Sequence, residues 1–376
     1  MSPVDGASAT LTIDLGALAA NYRLLRARLG PGCQCAAVVK ADAYGLGLGP
    51  VGRRLAQEGC GHFFVATLEE AVTLRSAFGE GGGKGKAEAA VTIYVFLGAE
   101  PNYAADLAEL GFIPVLNSRE QIELWRKEAA ARGRALPAIA HVDTGMNRLG
   151  LEAPDLDWIA QEPDALAGIE LRFVMSHLAC ADEPGHPLNQ RQLDAFIVAR
   201  ATFPAAPASL SNSGGILLGP AYHFDLVRPG IALYGGNPLA QGPNSFSEVV
   251  QLQAKIVQVR EIDSPQAVGY GATHRVAGPC RIATVAVGYA DGYLRSLSNR
   301  GTAFVAGVRA PLVGRVSMDL ITLDVTAVPP EHARPGTIVN LLGGGVDLDD
   351  MARDAGTISY EILTRLGPRL KRAYVN

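Results

Sequence analysis

Residues 36–49 read AAVVKADAYGLGLG: an apolar run of strand length ending on Lys40, then Ala41-Asp42-Ala43-Tyr44 and glycines at alternate positions. In an open doubly wound sheet the first strand runs into a GxGxxG turn that receives a dinucleotide pyrophosphate. Gly45, Gly47 and Gly49 approach that fingerprint but lack its third glycine, and a lysine stands at the strand end. The same kind of run recurs as HFFVA (62–66), VTIYVFL (91–97), FIPVL (112–116), PAIAHV (137–142), GIELRFVMSH (168–177), ASLSN (208–212) and FDLVRPG (224–230). Apolar runs of this kind fit strands buried on both faces, as in a parallel sheet. Helix-compatible stretches at 101–110, 118–132 and 188–203 lie between them, and another at 16–29 is opened by Asp14. Eight such units predict an α/β fold, a TIM (β/α)8 barrel.

After Asn237 the texture changes. GNPLAQGPNSF (236–246) reads as a linker, and the runs at 248–262, 281–289, 302–316 and 319–325 predict a C-terminal, mainly-β domain. The expected division is 1–237 for the barrel and 238–376 for the β domain. GEGGGKGKAEAA at 79–90 is low in complexity and reads as a flexible surface loop without chemistry.

Composition narrows the partners. Hydrophobic residues make up 48% of the 376 and charged residues 19%, which argues against disorder for most of the chain. Lys and Arg number 33 against 37 Asp and Glu, a net −4 without a basic stripe, so neither nucleic acid nor an anionic membrane is the expected partner. A small molecule is. No apolar window reaches membrane-spanning length and MSPVDGASAT lacks a secretory pattern, so a cytoplasmic protein is expected. The five cysteines stand at unrelated spacings and the seven histidines form no HExxH, which predicts reduced thiols and no metal.

Barrel enzymes work at the C-terminal ends of their strands. Those ends are polar here: Lys40, Asp143-Thr144-Gly145, Ser176-His177, Ser211-Asn212-Ser213-Gly214-Gly215 and Arg228-Pro229-Gly230-Ile231. Desolvation pulls the pKa of an interior lysine down until its amine can attack an aldehyde to form a Schiff base. Ser213 before two glycines, with the N–H groups of Gly230 and Ile231, offers a phosphate cradle after strands 7 and 8. A lysine nucleophile facing such a cradle points to pyridoxal phosphate.

With these residues in view, the chain resembles the bacterial alanine racemase family, pyridoxal-phosphate enzymes of barrel-plus-β-domain architecture. The resemblance rests on AVVKADAYGLG (37–47), HVDTGMNRLG (141–150), MSHLACAD (175–182), SNSGG (211–215), VRPGIALYGG (227–236), VGYGATH (268–274), VGYADGY (287–293), VGRVSMDL (313–320) and ISYEI (358–362), in that order. It implies interconversion of L- and D-alanine, for cell-wall precursor supply or alanine catabolism, by a homodimer with shared active sites. A broad-specificity amino-acid racemase and, less closely, a non-catalytic cofactor-binding barrel are the alternatives.

The resemblance also implies roles for single residues. Lys40 carries the cofactor and, with Tyr270 from the other subunit, moves the Cα proton; a racemase needs two groups placed on opposite faces. Arg228 meets the pyridine nitrogen, where its persistent protonation makes the ring a poorer electron sink than a pyridinium, and His177 orients it. Tyr44, Ser213, Tyr360 and the N–H groups of Gly230 and Ile231 hold the phosphate, with Asn212 beside them. Arg148 binds the substrate carboxylate, and Met318, Asp319 and the gate residue Tyr289 come from the partner subunit. Where many members have a lysine just before Val-Asp-Thr-Gly, this chain has His141, so an anion or a direct contact is expected to hold Arg148.

Overall fold

The computed structural model describes residues 7–79 and 91–376, so the 79–90 tract lies almost entirely outside the described residues. Eight parallel strand positions form a ring. β3 (Ala37–Val38), β4 (His62–Val65), β5 (Thr92–Val95), β6 (Ile113–Leu116), β7 (Leu136–His141), β8 (Ile169–Met175) and β9 (Ala208–Ser209) follow one another as parallel neighbours. β2 (Gln34–Cys35) precedes β3 on the same stretch of chain and pairs in parallel with β10 (Leu226–Val227). Backbone bonds complete the circle: Asp225 N–H to Ala208 O at 3.0 Å, Arg228 N–H to Ser211 O at 2.9 Å, and Val38 N–H to Pro229 O at 3.0 Å. The eight expected apolar runs coincide with these strands; β7 is as long as its run, and the others are shorter.

The helices between them start where the chain supplies caps. Asp14 accepts from Ala17 N–H at 2.8 Å at the start of the helix Leu15–Arg26, and Ser118 caps Arg119–Arg132. The second helix buries Ile122, Trp125 and Ala129 against the barrel, a three- and four-residue spacing that places all three on one face.

The C-terminal region is built on β11 (Val250–Ile262), a 13-residue strand that pairs with three others. One of them lies outside the span expected to form this domain: β1 (Ala9–Asp14) runs antiparallel to β11, with Leu11 opposite Leu252, and parallel to the strand Lys371–Val375. Residues 9–14 fall within the 1–237 span expected for the barrel but belong to the C-terminal sheet. Leu11 and Ile13, both 0% exposed, supply the alternating pattern that seats them in this sheet. Two helices, Leu348–Ala355 and Ser359–Arg365, also interrupt the β-rich span. The first buries Leu348, Met351, Ala352 and Ala355, one helical face that apolar runs of strand length do not reveal. Residues 236–246 make no regular element but are tied down, with Asn237 N–H donating to the Asp349 carboxylate at 3.0 Å. No described helix is long and apolar enough to cross a membrane.

Because the Asp14 carboxylate satisfies an N–H that the helix leaves unpaired, Asp14→Ala should cost about 1 kcal/mol of stability, read from denaturant unfolding. An unchanged midpoint would discount the cap.

Candidate active site

Past Val39 the chain makes one left-handed turn, Lys40–Gly45, in which Ala41, Asp42, Ala43 and Tyr44 have φ of 53, 54, 54 and 58°. Such backbone crowds Cβ against the carbonyl and costs about 1–2 kcal/mol per residue outside glycine. Bonds from several directions hold it. Ala43 N–H donates to Val39 O and Gly47 N–H to Asp42 O, each at 2.9 Å, while the Asp42 carboxylate accepts from Leu48 N–H at 2.7 Å. Glu70 accepts from Ala41 N–H, Arg372 Nη2 donates to Gly45 O at 3.0 Å, and the Tyr374 hydroxyl donates to Leu46 O at 3.0 Å. Gly47 is required by this packing, since a Cβ there would lie 2.1 Å from the Tyr374 oxygen.

The turn sets Lys40 into a cavity of about 440 Å³ at the C-terminal ends of the barrel strands. Tyr44, Arg148, His177, Asn212, Ser213, Arg228, Gly230, Ile231 and Tyr360 line the same cavity. Burial lowers the Lys40 pKa, Arg148 lowers it further, and Glu70 opposes both. Lys40 Nζ stands 5.7 Å from the centre of the Phe96 ring.

Arg228 is 2% exposed. It donates from Nη2 to Ser176 O at 2.6 Å and to His177 Nδ1 at 3.4 Å, and from Nη1 to Ser209 Oγ at 2.5 Å. Its Nε has no hydrogen-bond partner among the described residues. Burial alone brings its pKa down to about 9, which still leaves it protonated at neutral pH. The same burial, with Arg228 beside it, holds His177 well below the ordinary imidazole range, so its Nδ1 is free to accept. Pyridoxal phosphate fits this arrangement, because a ring nitrogen is the acceptor that the buried Nε lacks.

The opposite side is a cradle of hydroxyls. Ser213 Oγ accepts from Gly230 N–H at 2.8 Å, and a Cβ on Gly230 would sit 2.2 Å from the Tyr44 oxygen. The Tyr44 ring lies 5.9 Å from that of Tyr360. Burial raises the pKa of both, Tyr360 to about 12, so both remain O–H donors that bind an anion without competing charge. Asn212 shapes the turn by accepting from Gly215 N–H at 2.9 Å.

Comparison with known proteins covers nearly the whole chain. Residues 13–238 match the family described as "Alanine racemase, N-terminal domain" and residues 249–374 the one described as "Alanine racemase, C-terminal domain". The chain is 50% identical over 374 residues to an alanine racemase of Rhodospirillum rubrum, covering 100% of this chain and 98% of that protein. The chain belongs to the alanine racemase family. A relative from Mesorhizobium japonicum named "Alanine racemase, catabolic" is 49% identical, covering 98% of this chain and 94% of its own. An alanine racemase structure from Bartonella henselae, solved with covalently bound pyridoxal phosphate, superposes with a TM-score of 0.91 at 40% identity, over 98% of this chain and 100% of that one. The alanine racemase of Streptomyces coelicolor gives 0.90 at 34% identity, over 98% of each chain.

Four residues expected at the site do not reach the alanine racemase cavity within one chain. Tyr270 is 72% exposed, Met318 54% and Tyr289 43%. Asp319 is held by Arg369 at 2.7 Å, and Arg369 also pairs with Asp291 at 3.0 Å. All four belong to the C-terminal region. Conversely, the cavity has lining residues that the strand-end reading passed over: Phe96, Asn117 and Met175. Asn117 directly follows β6, so the rule that found Lys40 reaches it as well.

Asn117 decides the state of His141. Its amide donates to Phe96 O at 2.9 Å and Val115 O at 2.8 Å, which leaves Oδ1 to accept from His141 Nδ1 at 2.7 Å. His141 therefore carries its proton on Nδ1. Burial first, then Arg228, pushes its pKa down to about 4 from the ordinary 6.5, against the pull of Asp143. Below about pH 6.5 the unfolded chain binds a proton there that the folded chain refuses, so stability falls as pH drops towards 4. His141→Gln should flatten that decline by up to about one proton in the slope of unfolding free energy against pH. Denaturant titrations across this range measure it, and an unchanged slope would refute the neutral buried imidazole.

Proposed function

We propose that this chain interconverts L- and D-alanine in the cytoplasm, with pyridoxal phosphate held by Lys40, as a homodimer whose sites each borrow residues from the other copy. One observation carries the reading: a lysine of lowered pKa and a buried arginine with a free Nε face into a single cavity of a chain from this family. When bound, pyridoxal phosphate supplies the electron sink that makes a Cα proton removable. The chain's own residues do the rest. Lys40 would hold the cofactor covalently and, once the substrate amine has displaced it, its freed amine would receive or return the Cα proton on one face. A proton taken from one face and given back to the same face regenerates the starting enantiomer, so a second group must stand opposite. Tyr270 of the second copy has that role; on its own chain it is exposed and far from use.

Arg228 would offer its free Nε–H to the ring nitrogen and keep its own proton, while His177 Nδ1 accepts from the guanidinium and holds it in place. Tyr44, Ser213, Tyr360 and the N–H groups of Gly230 and Ile231 receive the phosphate, with Asn212 bracing the turn. Arg148 offers its planar fork to the substrate carboxylate. Met318 and Asp319 of the second copy close the substrate end, and its Tyr289 narrows the entrance. The expected boundary between residues 237 and 238 stays part of this proposal, with β1 returned to the C-terminal sheet.

Borohydride treatment of the purified holoenzyme should fix the cofactor on Lys40, and either alanine enantiomer should yield a mixture of both by chiral chromatography. A label on another lysine, or alanine left unchanged, overturns the reading; serine, lysine or arginine turned over as fast as alanine would widen the substrate class. The shared site has its own test. Mixing Lys40→Ala with Tyr270→Ala subunits, each inactive alone, should return about a quarter of wild-type activity: about half the dimers are mixed, and one of their two sites carries neither lesion. No recovery after verified subunit exchange would place Tyr270 outside the partner's site.

A further inference from the structure

Glu70 lies in the first turn of the helix Leu68–Gly79, outside the cavity lining, and the proposed chemistry gives it nothing to do. Its carboxylate nevertheless joins two segments: Oε1 accepts from Ala41 N–H at 2.6 Å and Oε2 from Ala66 N–H at 2.8 Å. Ala41 opens the left-handed run immediately after Lys40, and Ala66 follows β4, the strand paired with β3. The site suits an anion, because the helix presents its positive end there, and Thr67 Oγ1 accepts from Glu70 N–H at 3.3 Å. A neutral amide cannot do the same work. Facing two N–H donors, a glutamine could offer oxygen to only one and would present NH₂ to the other.

We propose that Glu70 is a positioning residue for Lys40, tying the start of the left-handed turn to the neighbouring strand so that the amine stands at a fixed place in the cavity. Its negative charge acts on the amine as well. Of the charged and titratable groups that bear on Lys40, Arg148 opposes protonation, His177 lies across the cavity as a neutral imidazole, and Glu70 alone favours the ammonium form. This inference rests on Lys40 being the cofactor-bearing residue, and the two claims come apart in one experiment.

Wild-type protein and the variants Glu70→Gln, Glu70→Asp and Glu70→Ala, full-length and stripped of cofactor with hydroxylamine, are given pyridoxal phosphate across a range of pH. Recapture is followed by the visible band and the attachment site by mass after borohydride reduction. Recapture should slow at least about tenfold in all three variants, because each breaks one or both bonds that orient the amine. Attack needs the unprotonated amine, so the rising limb of rate against pH should move to lower pH in Glu70→Gln and Glu70→Ala, which lose the charge, and stay in place in Glu70→Asp. Rates within about threefold of wild type, with unmoved limbs, overturn the proposal. If wild type itself fails to take the cofactor on Lys40, the functional reading fails. Glu70 is then judged by amide exchange in the wild-type protein, where Ala41 and Ala66 N–H should both be protected; fast exchange at either one overturns the strap. The same measurement decides the case if the variants do not fold.

Discussion

Between Lys40 and Gly45 the backbone winds against the hand that L-amino acids prefer, and the placement of the reactive amine depends on that turn being held. Four successive residues without a glycine, Ala41 to Tyr44, occupy the left-handed region. At about 1–2 kcal/mol each, the arrangement costs a large share of a typical domain's net stability, so it must be over-determined by its surroundings. The Asp42 carboxylate, Glu70, and Arg372 with Tyr374 each take up backbone groups along it. What this secures is direction. A right-handed continuation from β3 would carry Tyr44 elsewhere, whereas the observed turn brings Lys40 and Tyr44 into one cavity, the lysine towards Arg148 and the tyrosine towards Ser213 and Gly230.

The cavity is also defined by what it lacks. Lys40, Arg148 and Arg228 converge on it with neutral imidazoles at His141 and His177, and among the described residues the acidic influence on Lys40 comes from Glu70. Arg228, buried without a carboxylate partner among the described residues, is costly to hold there and is tolerated where a ligand brings the missing charge. A ligand with a phosphate at one end and a carboxylate at the other completes such a site. The hydroxyls of Tyr44, Ser213 and Tyr360 add hydrogen-bonding groups to the cavity without adding charge.

The barrel was legible because its strands are short apolar runs whose ends turn abruptly polar, and that transition marks both the element and the residues that line the cavity. Lys40, His177, Ser213 and Arg228 were found this way, and Asn117 obeys the same rule. Tyr360 has no such local signal: it lies on a helix in the C-terminal region and reaches the cavity only through tertiary packing, so the family resemblance alone pointed to it. β1 was misplaced because six residues of alternating pattern before a helix do not say which sheet they will join. Register between segments more than 230 residues apart is settled by the sheet edge left open by β11, and that edge exists only in three dimensions. Tyr270, Tyr289 and Met318 illustrate a further limit: they are exposed and line no part of the cavity within one chain, so neither the strand-end pattern nor the packing of a single chain points to them.

The clamp on the lysine turn has a consequence for the order of events during synthesis. Arg372 and Tyr374 lie 327 and 328 residues downstream of the carbonyls they bind, and their strand is seated only by pairing with β1 at the other end of the fold. A ribosome will have released the whole barrel sequence before these residues exist. The nascent barrel can close its ring of strands early, while the segment from Lys40 to Leu46 waits, without its C-terminal clamp, for the final strand to arrive. Long-range contacts of this kind are among the last to form. The Lys40 side chain would therefore reach its place in the cavity as one of the final acts of folding.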